Sequence, residues 1–219
     1  MCDVRLCLMI EGQEGVSWEQ WMALAEATER SGLEGLFRSD HYLSFDHPHE
    51  RGAHDAWATL AALASITERI RLGTLVSPAG FRHPSDLAKS VVTVDHASDG
   101  RVELGMGAGW FEREHRAFGF PFPSNAERMD VLTEQIEIVH RLWSEDGVTH
   151  HGTSASGGRS RKRSGAIVAN RARFSALKRP RRTCVSSQSR RLKSAFDQPE
   201  PASVAACSGP RMISGSPSR

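Results

Sequence analysis

The 219 residues contain no apolar run that approaches the roughly 18 needed for a membrane-spanning helix. The amino terminus, MCDVRLCLMIEGQEG, carries Asp3 early and is too short in its apolar run for a signal peptide. A cytoplasmic location is the expectation. Cysteine is scarce: Cys2, Cys7, Cys184 and Cys207 form no CxxC pair, which argues against a cysteine-built zinc site and a disulfide-framed secreted domain. There is no HExxH, and His47, His49 and His54 match no common catalytic zinc spacing, so no metal is expected. Nor does a GxGxxG follow the first apolar run, where only IEGQEGVS stands, and this weakens a dinucleotide-binding reading.

Acidic residues are nearly missing from one part of the chain. Residues 153–219 hold 15 Lys+Arg against 2 Asp+Glu, with 14 serines, whereas residues 1–152 hold 13 against 24. All ten histidines and all five tryptophans lie in the first part. The net charge of +2 averages two unlike texts, and a boundary near Gly152 is expected.

What the first part does have is a repeat. Residues 4–10 (VRLCLMI) read as a buried strand, and residues 17–32 as a helix. Ser17 and Gln20 have capping-box spacing, Trp18, Trp21, Met22 and Ala25 make a stripe, and Gly32 is a stop. A second strand is expected at 33–39, then a polar, histidine-rich loop at 40–55. A helix follows at 56–70, with Arg69 in its last turn, where positive charge is favoured. The strand 70–77 leads to a helix at 85–98 with Leu87, Val91 and Val94 on one side. The turn Asp99-Gly100 leads to the strand 101–107. Last comes a helix at 126–143 whose stripe is Met129, Leu132, Ile136, Val139 and Trp143. Strand starts about 30 residues apart are what parallel strands with crossover helices require. An open doubly wound sheet and a barrel both satisfy this. The polar and aromatic loops 39–54, 77–84 and 107–125 follow strand ends, where a barrel carries its chemistry.

Four separated segments carry a family pattern in order and spacing: 39-SDH-41, 69-RIRLGTLVSPAGFRHPSDLAK-89, 95-DHASDGRVELGMGAGWFEREHRAFGFPFP-123 and 127-ERMDVLTEQIEIVHRLW-143. Over residues 3 to about 152 the chain resembles the luciferase-like monooxygenase superfamily, in particular the oxidoreductases that use the deazaflavin coenzyme F420. The resemblance implies a TIM-type (β/α)8 barrel, of which about the first four βα units are present, a ring bound at the carboxyl face, and a homodimer in intact relatives. It implies hydride transfer with F420 on a small organic substrate; the alternative is an FMN-dependent monooxygenase using reduced flavin and oxygen. By the same resemblance Asp40 and His41 would face ring and substrate. Thr74, Leu75, Val76 and Ser77 would form a bulge, often with a non-proline cis peptide, that supports one face of the ring. Gly107, Ala108 and Gly109 would run beside the cofactor, Trp110 and His115 fall in the adjoining loop, and Glu127 and Arg128 open the next helix.

The chemistry fits these residue types. Hydride transfer needs two carbons held face to face and dry, with the protein supplying orientation. Gly107 and Gly109 would leave space for a flat ring, walled by Trp110 and Phe111. His41 suits proton exchange or hydrogen bonding near neutrality, and Asp40 would alternatively hold a neighbouring imidazole or amide. Arg82 and His83 would meet an anionic cofactor tail or solvent. Glu112 and Arg116 are spaced for an exposed salt bridge. After Gly152 the family pattern stops, and residues 153–219 read as a disordered or out-of-frame tail. Weak or absent activity is the expectation for half a barrel. The runs 159-RSRKR-163 and 178-KRPRR-182 would contact nucleic-acid phosphates without reading sequence, so nonspecific nucleic-acid binding through the tail is a further alternative; neither run contains an aromatic residue for base stacking, and no nucleic-acid partner is the leading expectation.

Overall fold

The computed structural model describes residues 4–152 and 165–170, all within one compact unit, Met1–Ser186. The strands are β1 (Cys7–Ile10), β2 (Gly35–Arg38), β3 (Arg71–Pro78), β4 (Val102–Gly107), β5 (Gly147–Gly152) and β6 (Gly165–Asn170). The helices are α1 (Trp18–Arg30), α2 (Ala56–Ile66), α3 (Pro84–Ala97), α4 (Glu112–Phe118) and α5 (Asn125–Ser144). β1 to β4 form a parallel sheet in chain order, and β5 pairs antiparallel with β6. Four strand–helix units in sequential order are an incomplete barrel-type fold, as the 30-residue spacing predicts; an open doubly wound sheet would reverse its strand order partway.

Local rules place the helices. Ser17 and Gln20 make a complete capping box on α1, as do Ser124 and Glu127 on α5. Asp55 caps α2 and His83 caps α3, with Pro84 in its first turn. Trp21, Leu60, Leu63, Leu87, Val91 and Ile138 pack on Leu36, Leu72 and Val102 to make one core between helices and sheet. Truncating one such leucine to alanine costs about 2–5 kcal/mol.

Several expectations need correction. β1 is shorter than the apolar run, and Val4 and Leu6 are exposed, because among the described residues β1 pairs only with β2. α2 stops at Ile66, so Arg69 lies past it. Its guanidinium donates to Glu29 O and Leu33 O, each at 2.9 Å, at the carboxyl end of α1. The end of α2 is served by Arg101, which donates to Ala64 O at 3.0 Å and Thr67 O at 2.6 Å. The buried stripe of α5 is Leu132, Gln135, Ile138, Val139 and Leu142; Met129, Ile136 and Trp143 sit only partly buried at its border. Trp18 is likewise exposed while Trp21 is buried. The loop 107–125 contains α4, which its mixed charges concealed. In the tail, GAIVAN forms β6; its Ile-Val pair is β-branched and suits a strand. The rest of that tail, including both basic runs, lies outside the described residues. Among the described residues no helix is long and apolar enough to cross a membrane.

Candidate active site

Parallel pairing brings the carboxyl ends of β2, β3 and β4 to one rim. Arg38 is in register with Thr74, and Pro78 with Gly107. From Thr74 to Ser77 β3 advances three residues while β4 advances two, from Leu104 to Met106, which is a bulge with one extra residue on β3. The peptide between Leu75 and Val76 is cis. The bulge breaks the in–out alternation. Thr74 and Ser77 are buried, whereas Leu75 and Val76 are 55% and 37% exposed.

The four residues expected to support a ring therefore divide. Ser77 Oγ lies 2.6 Å from Asp40 Oδ2 and accepts from Trp57 Nε1 at 3.1 Å. Thr74 Oγ1 donates to Gly105 O at 3.0 Å. Both hydroxyls are turned to protein partners, and only Leu75 and Val76 offer surface.

Asp40 also departs from its expected role. It is buried behind the rim, where Arg82 meets its carboxylate with Nη1 at 2.5 Å and Nη2 at 3.1 Å. Arg82 Nη2 also reaches Asp55 Oδ2 at 2.6 Å. A carboxylate out of water needs a paired cation, and Arg82 supplies it. Burial works to lower the Arg82 pKa, but the two carboxylates override it and raise it above the ordinary value. Burial likewise works to raise Asp55, yet the Ala58 amide and Arg82 hold it below the usual carboxylate range. Arg82 is thus committed inside the protein, neither in solvent nor free for an anionic tail. Beneath it Arg38, fully buried, stacks over Trp21 and donates to Thr59, His54 O and Ser39 O; burial brings its pKa down to about 10.

His41 stands at the rim with its side chain 11% exposed. Its Nδ1 lies 2.8 Å from Glu114 Oε2, and its Nε2 has no hydrogen-bond partner among the described residues. Phe45 packs on the imidazole at 5.0 Å and Trp110 at 6.0 Å between ring centroids. Trp110 itself is 63% exposed. Behind this rim, Tyr42 stacks on Phe81 at 5.2 Å, and Phe81 on Phe120 at 4.7 Å. Burial raises the Tyr42 phenol.

The glycines at the end of β4 make space for protein neighbours. A Cβ on Gly107 would come within 2.5 Å of Val76 Cγ2, and one on Gly109 would stand 3.1 Å from the His115 imidazole. Gly107 admits the bulge, and Gly109, at φ 78°, lets the chain turn over His115. Ala108 between them is partly buried. His115 is a buried core residue of α4 that engages Phe111 O at 3.0 Å through Nδ1, with Nε2 unpartnered among the described residues. Arg128 donates to Gly109 O at 3.1 Å, tying α5 to this turn, while Glu127 is an exposed capping residue away from it. Glu112 and Arg116 do form the exposed pair, at 2.7 Å.

Glu114, Tyr42, Phe45 and Asp55 were not singled out from the sequence. Tyr42 is the only tyrosine of the chain, but Glu114 reaches His41 across more than seventy residues and no local spacing marks it. His47, near Glu50, and His54, whose carbonyl serves Arg38, belong to the loop between β2 and α2. No group of three or more metal-ligating side chains occurs among the described residues.

A flat redox ring needs an uncovered apolar wall and a polar atom at its edge. Leu75, Val76 and Trp110 provide the first and His41 Nε2 the second, so the residues present fit the ring.

Comparison with known proteins adds the family. The luciferase-like monooxygenase family model matches residues 6–213. The chain is similar to an F420-dependent glucose-6-phosphate dehydrogenase of Amycolatopsis mediterranei, with 35% identity over 131 residues, covering 58% of this chain and 38% of that relative. It thus spans under two-fifths of this relative's length, and the same share of a second, from Intrasporangium calvum, which is 36% identical over 129 residues. Among solved structures it resembles the monooxygenase RslO1 from Streptomyces bottropensis, at 30% identity and a TM-score of 0.59, covering 68% of this chain and 46% of that one. It also shares the fold of an F420-dependent secondary alcohol dehydrogenase, at 23% identity and a TM-score of 0.62, covering 68% and 45%.

Proposed function

We propose that this chain, which belongs to the luciferase-like monooxygenase family, carries the ring-facing half of an oxidoreductase site that uses coenzyme F420 on a small organic substrate. The observation that supports it is that His41, packed against Trp110, and the uncovered Leu75 and Val76 lie at the carboxyl ends of the neighbouring strands β2, β4 and β3. The deazaflavin supplies the hydride chemistry when bound. Leu75 and Val76 give the ring a dry apolar face, and burying two such side chains contributes about 1.5–3 kcal/mol each when coverage is complete. Trp110 and Phe45 flank His41 and limit water around it. His41 holds or moves a proton at Nε2, next to the reacting oxygen or the ring edge. F420 comes before FMN because the curated relatives at 35–36% identity are F420-dependent by name.

The test is a fluorescence titration of the full 219-residue chain with F420, with its ring lacking the anionic tail, and with FMN. Saturable quenching by both deazaflavins, with the tailless ring within a few-fold of F420 and FMN weaker, is the expected result. Leu75→Asp should abolish it. FMN binding more tightly than either deazaflavin would favour the flavin-dependent reading. No saturable binding by any ring, or indifference to Leu75→Asp, would sink the site.

A further inference from the structure

We infer that Glu114 is a positioning residue that fixes the tautomer of His41. Glu114 is fully buried on α4 and, among the described residues, has no arginine or lysine within salt-bridge distance. Its carboxylate has two faces in use. Oε1 accepts the backbone amides of Tyr42 at 2.5 Å and Leu43 at 3.1 Å. Oε2 faces His41 Nδ1 at 2.8 Å. An ionised carboxylate only accepts, so Nδ1 must carry the proton in this pair. In the neutral imidazole the other nitrogen is then bare. That nitrogen, Nε2, is the one that has no hydrogen-bond partner among the described residues. Glu114 therefore presents His41 to the site as a proton acceptor, against the preference of a free histidine side chain in water for Nε2–H.

The same helix holds the loop on which His41 sits. Arg113 donates to Phe45 O at 2.5 Å and to Ser44 O at 3.2 Å. Orientation and protonation are thus set by one short helix beyond β4, acting on a residue beyond β2. The catalytic use of this tautomer rests on the proposed oxidoreductase site; the tautomer itself does not.

Long-range 1H–15N NMR of the 15N-histidine-labelled full chain tests it, at a pH where imidazole is neutral, with His41→Asn assigning the signal. The expected spectrum shows Nδ1 protonated and Nε2 bare. Glu114→Gln should invert it. The amides of Tyr42 and Leu43 keep the glutamine oxygen at the Oε1 position, leaving its NH2 to donate to Nδ1, so the proton moves to Nε2. An Nε2–H signal in the unsubstituted chain overturns the inference, even if the variant fails to fold. So does an unchanged tautomer in a native-like Glu114→Gln. A correct tautomer without ring quenching sinks only the cofactor site, whereas ring quenching with the wrong tautomer sinks only the role of Glu114.

Discussion

The two ends of the parallel sheet use charge differently. At the amino end, where helices return to strands, charged side chains serve the backbone, the Arg71–Glu103 and Arg69–Glu29 pairs apart. Arg101 donates to Ala64 O, Thr67 O, Ile70 O and Ser98 O, Arg69 to the end of α1, and Glu29 accepts the amides of Glu68, Arg69 and Ile70. At the carboxyl end, charged side chains also pair with one another out of water, as in Asp40–Arg82–Asp55 and His41–Glu114, and apolar Leu75, Val76 and Trp110 stay uncovered. The first arrangement satisfies orphan carbonyls and amides and holds the turns. The second stores charge below a rim that still has surface to bury, the arrangement expected of a binding face.

The contrast can be broken experimentally. The largest effect is expected from Arg82→Met, which leaves Asp40 buried without its cation and should cost about 3–5 kcal/mol in urea unfolding. Adding Asp40→Leu should recover most of that loss; a double variant no better than the single one would mean that the pair is not what holds this rim. At the other end Arg101→Ala strips donors from several carbonyls, and a loss of about 2–3 kcal/mol is expected, with ring quenching unchanged in the folded fraction. If quenching falls as well, the two ends are not separable.

Gly107→Ala sharpens the comparison. Its methyl group collides with Val76, so a loss of about 1–3 kcal/mol should come with weaker ring quenching, unlike Arg101→Ala. The smallest effect concerns pH. Asp55 at one end and Glu29 at the other both have folded pKa values below their unfolded ones. For Asp55 the Ala58 amide and Arg82 outweigh burial, and for Glu29 three backbone amides do so. A depressed carboxylate contributes stability that is present above the unfolded pKa, near 4, and is lost as pH falls through the folded value. Thermal melts from pH 7 down to 3 should show that loss in the acid limb, and Asp55→Asn should flatten part of it.

Much of this was legible along the chain. Ser17 with Gln20, Leu87 with Val91 and Val94, and the 30-residue recurrence of strands are short-range signals, and each element they mark is present. The rim glycines and the bulge were located through family pattern, yet what fills the space beside Gly107 and Gly109 is Val76 and His115, which no spacing rule indicates. Arg69 was assigned to the wrong helix end because the sequence shows which residue follows α2 but not which carbonyls its side chain reaches. The resemblance sets Asp40 at the ring together with His41, whereas the structure buries it against Arg82.

The sequence by itself determined the strand–helix alternation, the capping box of α1 and the core face of α3, since these rest on periodicity and on neighbours a few residues apart, and its resemblance to known chains gave the family. Only the tertiary structure decided which polar side chains are consumed and which remain open. That choice depends on partners brought together across strands and on the burial they share, as Glu114 with His41 and Arg82 with Asp40 illustrate.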